Sequence, residues 1–504
     1  MTRSRYVKIA VVALLIAVFV MLRVWKMGET CLWFDEIFSV HAASQPWNSL
    51  LAFVALDLIH PPLFYLILKA WIAIGGDSTM WLRMLPLACS VLAILPLFLL
   101  LDELKQSFNV KALTLCILIV SGSILKYSLE VRMYSLMLCL SLFSIWLFVR
   151  SVERRAGILP LIAVNILLIY THYFGWFVVA SEGAAALLFY RGSWKKIFAM
   201  AAVSIMAFTP WIAAIYDASG AGAGSGLAQN IGWMSRPGVR EITVFAFNVV
   251  EPFYCQLGSS EPISNFLVTL PVLVLLTIIA SFAAINWREF DGQTRKALLT
   301  FATFVAVPLA LAFSISWLSP YSIWGTRHLI VVFVPFYLLI AIAGSNLKGR
   351  TLRFGLLGCA LLACLVGGAM NASREPQRFG WCEAGPITSG IAAEVPIYAV
   401  EDLIAYHLWF DHRKDEPKRR IVKLDNTPGL GEDTAYFLPR GFSDVTRTDV
   451  ETVAEPKLWL VQRGKQVKET EPPLRNFLLK GYKITDRKTV GVTGEEVEAF
   501  LLEK

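Results

Sequence analysis

The stretch "LWFDEIFSVH", residues 32–41, places two acidic side chains next to each other shortly after a strongly apolar run ends. Asp35 and Glu36 are framed by Trp33 and Phe34, aromatic residues that favour the headgroup region of a membrane. A carboxylate at that depth can take a proton from a hydroxyl group or bind a divalent cation. The alternative is that both acids are simply solvated, as acids in loops usually are.

Further stretches add histidines, cations and tyrosines of the same kind. The opening stretch itself contains His41, "HPPLFYL" contains His60, "KYSLEVRMYSL" contains Lys126, Glu130, Arg132 and Tyr134, "YTHYFGW" contains His172 and Tyr173, and "SPYSIWGTRHLIVVFVP" contains Arg327 and His328. An arginine fork matches two phosphate oxygens, and charges at a membrane edge favour a functional interpretation. The alternatives are a pair of Glu130 with Arg132 or Lys126 that caps a helix, histidines that only pack, and an Arg327 that reaches the headgroups.

The composition predicts the elements that must hold these residues. Of 504 residues, 56% are hydrophobic and 17% are charged, and the mean hydropathy is +0.59. This balance indicates a polytopic α-helical membrane protein. We read roughly eleven spans of the length that a bilayer needs: 7–25, 81–101, 112–126, 133–149, 157–171, 173–190, 197–216, 264–285, 297–318, 329–345 and 353–371. The first span is too long for a cleaved signal sequence, so we expect a retained anchor.

Basic loops predict the orientation of the spans. Lysine and arginine gather in the N-terminal tail, in the turns 150–155, 191–196 and 348–353, and in the loop 288–296. These segments all fall on one side, which is cytoplasmic by the positive-inside rule. The apolar stretch 61–76 then lies along or re-enters the outer surface, since counting it as a span would reverse every later loop. The motifs above and the chain after residue 371 are predicted to be extracytoplasmic.

The composition changes after residue 371. We therefore expect a transmembrane domain over 1–371 and an extracytoplasmic α/β domain over 372–504. Short strands are predicted for "VPIYAV", "RRIVKLD", "TAYFLPR", "KLWLVQR" and "YKITDRKTV". Helices are predicted for "EDLIAYHLWFDH" and "PPLRNFLLKGY". The net charge is +8, and the basic cytoplasmic loops contribute to it. It indicates contact with a membrane surface rather than with nucleic acid.

Cysteine placement limits the covalent and metal chemistry. Five of the eight cysteines fall inside spans, where cysteine behaves as a small apolar residue. Cys31, Cys255 and Cys382 face outward, an odd number without metal-ligand spacing. One disulfide is therefore compatible with the sequence, and the spacing does not say which two cysteines form it.

Four outer loops thus place acids, histidines and arginines at one depth. This is the constellation expected of a site that takes a lipid phosphate from the membrane plane and changes its head group. The sequence resembles bacterial integral-membrane glycosyltransferases of the GT-C fold. The resemblance lies in the order of five stretches: "WFDEIFSVH", "HPPLFYLILKAW", "LEVRMYSL", "YTHYFGW" and "GTRHLIVVFVPFYLLIA". Within that fold it is similar to protein O-mannosyltransferases and to the lipid A aminoarabinose transferase. The resemblance covers roughly residues 1–345 and is strongest over 30–180.

The resemblance implies a donor, an acceptor and a set of roles. The donor would be a polyprenyl-phosphate sugar, and the acceptor a lipid, a glycan or a protein outside the cytoplasmic membrane. Asp35 would be the general base with Glu36 as its neighbour, and Arg132 and Arg327, with Lys126, would bind the donor phosphate. The remaining candidates, His41, His60, Glu130, Tyr134, His172, Tyr173 and His328, would contact substrate. The α/β tail is not the β-trefoil of eukaryotic O-mannosyltransferases, which weakens the case for a protein acceptor.

One base without a second enzyme nucleophile predicts a single displacement with inversion. No cofactor is required, since arginines can neutralise the leaving lipid monophosphate, although Asp35 and Glu36 are also suited to hold Mg²⁺ or Mn²⁺. Two other classes compete with an enzyme. A secondary transporter should have two related halves and broken helices at mid-membrane, and no such repeat is seen. A lipid-binding or assembly protein of the cell envelope would need no carboxylate at the site.

Overall fold

The computed structural model describes residues 3–25, 27–28, 30–154, 157–220, 231–252, 262–347, 349, 355, 357–359, 361–366, 369, 382, 384–429, 438–439, 442–464, 467–492 and 495–504. These residues form two compact units. The first unit contains residues 1–27 and 42–375, and the second contains residues 28–41 and 376–504. The stretch with the acidic pair therefore belongs to the same unit as the C-terminal tail.

The first unit is helical. Its helices are α1 (Arg3–Val24), α3 (Leu50–Asp57), α4 (Leu63–Gly75), α5 (Thr79–Leu92), α6 (Ile94–Glu103), α7 (Phe108–Val120), α8 (Gly122–Tyr127), α9 (Tyr134–Glu153), α10 (Leu159–Thr171), α11 (Gly175–Phe189), α12 (Trp194–Gly220), α13 (Val239–Val250), α14 (Pro262–Ile285), α15 (Gly292–Leu318) and α16 (Phe333–Ser345). A 3₁₀ turn, His328–Val332, leads into α16. Helix α2 (Phe34–Ser44) begins in the second unit and ends in the first.

Among the described residues, six helical segments are long and apolar enough to cross a membrane. They are Arg5–Val24, Thr79–Glu103, Tyr134–Glu153, Trp194–Gly220, Gly292–Leu318 and His328–Ser345. The other five predicted spans coincide with shorter apolar helices, namely Phe108–Val120, Leu159–Thr171, Gly175–Phe189, Thr269–Ile285 and Leu357–Val366. A polytopic helical membrane protein is confirmed. The predicted surface segment 61–76 forms α4, 13 residues long, which belongs to the same set of shorter apolar helices.

Helix ends present the candidate residues of this unit. Arg132 comes just before α9, His172 caps the C-terminal end of α10, and His328 begins the 3₁₀ turn. The turn after His172 depends on Gly175, because a Cβ there would come within 2.9 Å of the Leu168 side chain. His60 precedes two prolines, and Pro62 is the N-cap of α4. Proline suits that position since it has no N–H to leave unpaired.

The second unit contains a six-stranded sheet in the order β3-β2-β1-β4-β6-β5. The strands are β1 (Ile397–Ala399), β2 (Ile421–Asp425), β3 (Val445–Asp449), β4 (Lys457–Arg463), β5 (Lys483–Val492) and β6 (Glu495–Glu503). Strands β3, β2, β1 and β4 are parallel, and β6 and β5 are antiparallel to their neighbours. Among the described residues of this unit, the α-helices that accompany the sheet are α17 (Ala384–Thr388), α18 (Asp402–His412) and α19 (Leu474–Leu479). The α/β fold expected for the tail is confirmed.

A buried cluster stabilises one face of this sheet. It includes Tyr398, Leu460, Phe477 and Phe500. Four of the five predicted strands lie on β1, β2, β4 and β5, and both predicted helices form as α18 and α19. The fifth, "TAYFLPR", falls mostly outside the described residues. Strands β3 and β6 were not predicted from the sequence.

A disulfide joins Cys31 to Cys382, with 5.5 Å between their Cα atoms. Both cysteines belong to the second unit. Two of the three cysteines predicted to face outward are thus paired, and Cys255 falls outside the described residues. The disulfide fixes the entry to α2 three residues before that helix begins.

Candidate functional site

The acidic pair lies in the first turn of α2. The Trp33 N–H donates to Oε2 of Glu36 at 2.7 Å, and Glu36 is only 3% exposed. This bond caps the helix, because it satisfies an N–H that has no acceptor within the helix. Asp35 is partly exposed, and its carbonyl accepts a hydrogen bond from Ser39 Oγ at 3.0 Å. Glu36 therefore has a structural task, whereas the Asp35 carboxylate sits one position earlier in the same turn.

His41 packs in an aromatic cluster of the second unit. Its ring centroid lies 4.5 Å from that of Trp409 and 5.0 Å from that of Phe442. Its Nδ1 is 3.0 Å from the Tyr406 hydroxyl. Burial lowers the pKa of His41 to about 4, and the nearby Asp444 carboxylate only partly opposes this. His41 is therefore neutral at physiological pH.

In the first unit, four buried basic side chains gather: His60, Arg132, His172 and His328. Arg132 Nη2 lies 3.2 Å from Nε2 of His60. The His60 and His172 rings lie 5.5 Å apart, as do the His172 and His328 rings. They come from four separate segments, and their rings and guanidinium lie near one another at helix ends.

Asp57 orients the cluster through His60. The Asp57 Oδ2 atom lies 3.3 Å from Nδ1 of His60. Since arginine can only donate, the shorter Arg132 contact makes Nε2 of His60 an acceptor and leaves the proton on Nδ1, facing the carboxylate. Asp57, His60 and Arg132 thus form one chain of hydrogen bonds. Sequence analysis missed Asp57, although its spacing three residues before His60 was a usable signal.

Two buried histidine nitrogens of the cluster have no hydrogen-bond partner among the described residues. Within the part of the chain that the structure describes, His172 Nε2 and His328 Nδ1 are buried and make no hydrogen bond. His172 Nδ1 accepts from the Phe174 N–H at 3.1 Å, so Nε2 carries the proton in the neutral ring. Burial, and then the charges of His60, Arg132 and Arg327, hold the pKa of His172 well below its usual range. A buried donor without an acceptor is costly, and a ligand oxygen would remove that cost.

The other candidates surround the cluster at different distances. Tyr134 is fully buried, with its ring 6.2 Å from that of His172. The Tyr173 hydroxyl accepts from Trp211 Nε1 at 3.2 Å. Arg327 is partly exposed, and its guanidinium lies 5.7 Å from the Trp233 ring.

Lys126 and Glu130 contribute differently. The Lys126 ammonium lies 5.7 Å from the Tyr127 ring. The Glu130 carbonyl accepts from the Arg132 N–H at 2.6 Å, and the Glu130 side chain is partly exposed. The first unit thus brings together His60, Arg132, Tyr134, His172 and His328, whereas Asp35, Glu36 and His41 belong to the second unit.

No group of three or more potential metal ligands occurs among the residues that could be placed. The side chains that gather in the first unit are the Arg132 guanidinium and the imidazoles of His60, His172 and His328. Such a set binds and stabilises an anionic oxygen by charge and by hydrogen bonds.

No protein-family model and no curated protein sequence matches this chain. Solved structures do. ArnT from Cupriavidus metallidurans in the apo state is 13% identical, with a TM-score of 0.58, and the match covers 97% of each chain. The Archaeoglobus fulgidus oligosaccharyltransferase in complex with Zn and sulfate is 12% identical, with a TM-score of 0.47, over 79% of this chain and 61% of the other. The likeness to ArnT confirms the GT-C fold that the order of the motifs predicts.

Proposed function

We propose that this protein is a glycosyltransferase that moves a sugar from a polyprenyl-phosphate donor to a lipid, glycan or protein acceptor. The observation that carries the proposal is the buried cluster of Arg132, His60, His172 and His328 at helix ends of a membrane unit. The fold shared with ArnT supports the same class of activity. The reaction takes place at the outer face of the cytoplasmic membrane.

The cluster suits a lipid phosphate better than a neutral ligand. Arg132 is 3% exposed, so its charge acts in a medium that screens it weakly. The guanidinium supplies a planar fork for two phosphate oxygens, and the Nε2–H of His172 supplies a further donor. Arg327 and Lys126, both partly exposed, add further positive charge in this proposal. As the sugar leaves, the phosphate gains negative charge, and these donors stabilise it without rearrangement.

Asp35 is the general base in this proposal. Its carboxylate takes the proton of the acceptor hydroxyl, and the acceptor oxygen attacks the anomeric carbon. The bond from that carbon to the phosphate oxygen breaks, and the electron pair leaves with the phosphate. One displacement inverts the anomeric centre. Glu36 is less suited to this task because its carboxylate already caps α2.

The orientation follows from charge and redox chemistry. Basic loops put the N-terminus in the cytoplasm and the C-terminal domain outside. The Cys31–Cys382 disulfide supports this, because disulfides persist in oxidising compartments outside the cytoplasm. A cysteine introduced near residue 440, in a protein without other free thiols, should react with an impermeant thiol reagent on intact spheroplasts. Protection until lysis would reverse the orientation.

The direct test is the release of polyprenyl phosphate from a labelled sugar donor in liposomes. Asp35→Asn should lower turnover by about 10²-fold or more, within the range for loss of a general base, while donor binding persists. Asp486→Asn is the matched control: it makes the same change at an exposed position of the same unit. A transporter or a lipid-binding protein would show no turnover and no response to Asp35→Asn.

A further inference from the structure

Helix α2 presents one face to an aromatic platform of its own unit. The Phe34 ring lies 5.8 Å from the Tyr406 ring, and the His41 ring lies 4.5 Å from the Trp409 ring. Residues 34 and 41 are seven positions apart, so they share one face of a helix with 3.6 residues per turn. Tyr406 and Trp409 are neighbours on α18, with nearly parallel rings 5.5 Å apart.

A hydrogen bond adds direction to this packing. Nδ1 of His41 lies 3.0 Å from the Tyr406 hydroxyl, and Tyr406 has no exposed surface. The neutral imidazole can pair with a hydroxyl without the cost of a buried charge. This bond fixes the far end of the stretch that carries the acidic pair.

The near end is fixed covalently by the bond from Cys31 to Cys382. The stretch 31–41 is therefore attached to the C-terminal part of its unit at both ends. Asp35 follows Phe34 by one position, and successive side chains on a helix point about 100° apart. The Phe34 and His41 contacts consequently set the direction in which the Asp35 carboxylate points.

We propose that the C-terminal domain is the positioning scaffold of Asp35, with Cys382, Tyr406 and Trp409 as its positioning residues. This inference rests on the proposed function. It assigns a catalytic task to the domain, which holds Asp35 in register for proton transfer. The donor-binding cations belong to the other unit, so loss of the scaffold lowers kcat and leaves donor affinity unchanged.

Two variants test the two attachments in the full-length protein. The double variant Cys31→Ser, Cys382→Ser removes the covalent one, and we expect kcat to fall about tenfold or more, since a displacement of about 1 Å can cost about 10²-fold. Cys359→Ser is its control, because Cys359 is a free, exposed cysteine of the first unit.

Tyr406→Phe keeps the aromatic ring and removes the hydroxyl that contacts His41. We expect kcat to fall about fivefold, the equivalent of one net hydrogen bond. Tyr482→Phe is the matched control, since the Tyr482 hydroxyl donates to the Glu455 carbonyl at 2.6 Å, a contact that involves no residue of the stretch 28–41. It should leave kcat unchanged.

Amide hydrogen exchange provides a readout independent of catalysis. In both test variants, exchange of the peptide 32–41 should accelerate, while the dissociation constant of the polyprenyl-phosphate sugar stays the same. Unchanged exchange overturns the inference, and so does faster exchange with an unchanged kcat. Loss of donor affinity together with kcat would also overturn it, because that result indicates general unfolding. A wild type that transfers no sugar defeats the proposed function alone, and the exchange then decides whether the domain holds the stretch.

Discussion

Replacement of Arg132 by alanine should weaken donor binding far more than loss of a surface cation. Arg132 is 3% exposed and donates to Nε2 of His60 at 3.2 Å. In the proposed function, Arg132 forms a desolvated, hydrogen-bonded charge pair with the donor phosphate. Removal of one partner of such a pair costs about 2 kcal/mol or more of binding free energy. That free energy corresponds to an increase of about 30-fold in the Kd for the polyprenyl-phosphate sugar. Arg132→Lys should recover only part of the loss, because an ammonium group has no planar fork.

The assay is equilibrium binding of the labelled donor to protein in nanodiscs, with thermal unfolding recorded for each variant. Arg154→Ala is the control, since its side chain is 65% exposed and its ion-pair partner is Glu103, which does not belong to the cluster. Because this pair involves no residue of the cluster, the control should leave the donor Kd near that of the wild type. Unchanged Kd in Arg132→Ala would refute the phosphate role. An equal loss in Arg154→Ala would indicate general attraction to headgroups instead.

Three further outcomes are expected. Glu36→Gln should cost less turnover than Asp35→Asn, because Glu36 acts mainly as a helix cap; a dead Glu36 variant beside an active Asp35 variant would reverse the two roles. Glu182 accepts from Ser144 at 2.6 Å and from Asn165 at 2.7 Å inside the helix bundle. Glu182→Ala should therefore lower the thermal unfolding temperature in detergent more than Glu182→Gln does. The reason is that each buried group left unpaired costs about 1–3 kcal/mol of folding free energy. Equal temperatures for the two variants would remove that role. His41 has a folded-state pKa of about 4, below its usual 6.5. Between these pH values the unfolded state binds more protons, so stability should fall as the pH drops from about 6.5 to about 4. His41→Gln should flatten that pH dependence of thermal unfolding, and an unchanged slope would contradict the assignment.

Much of the fold was predictable because hydropathy and strand alternation are local signals. The long apolar helices and four of the strands follow directly from them. Strand β3 was missed because its burial pattern has one buried residue followed by four that are exposed or partly exposed, so it carries little hydrophobic signal. Strand β6 was missed because "EEVEAFLLE" combines glutamates with leucines in a way that suits a helix equally well.

The site was predictable in parts. The positions of His60, Arg132, His172 and His328 at helix ends follow from where the apolar runs stop. Their mutual contacts do not, because they depend on tertiary packing between segments far apart in sequence.

The grouping of Asp35 with the C-terminal domain also could not be predicted from the sequence. It depends on the partner of Cys31, which the cysteine spacing left open, and on ring packing of His41 across 365 residues. The sequence suggested substrate binding for His41, and the structure places its ring against Trp409 and Phe442. The sequence alone does not distinguish a loop histidine that binds substrate from one that packs against aromatic rings.

In the proposed function, the buried cluster of Arg132, His60, His172 and His328 holds a polyprenyl phosphate. Mass spectrometry of lipids that co-purify with the protein tests it most directly. A polyprenyl phosphate or its sugar conjugate should accompany the wild type and be depleted in Arg132→Ala, with bulk phospholipid unchanged. Phospholipid alone in both preparations, after purification from cells that contain the polyprenyl donor, would contradict the claim.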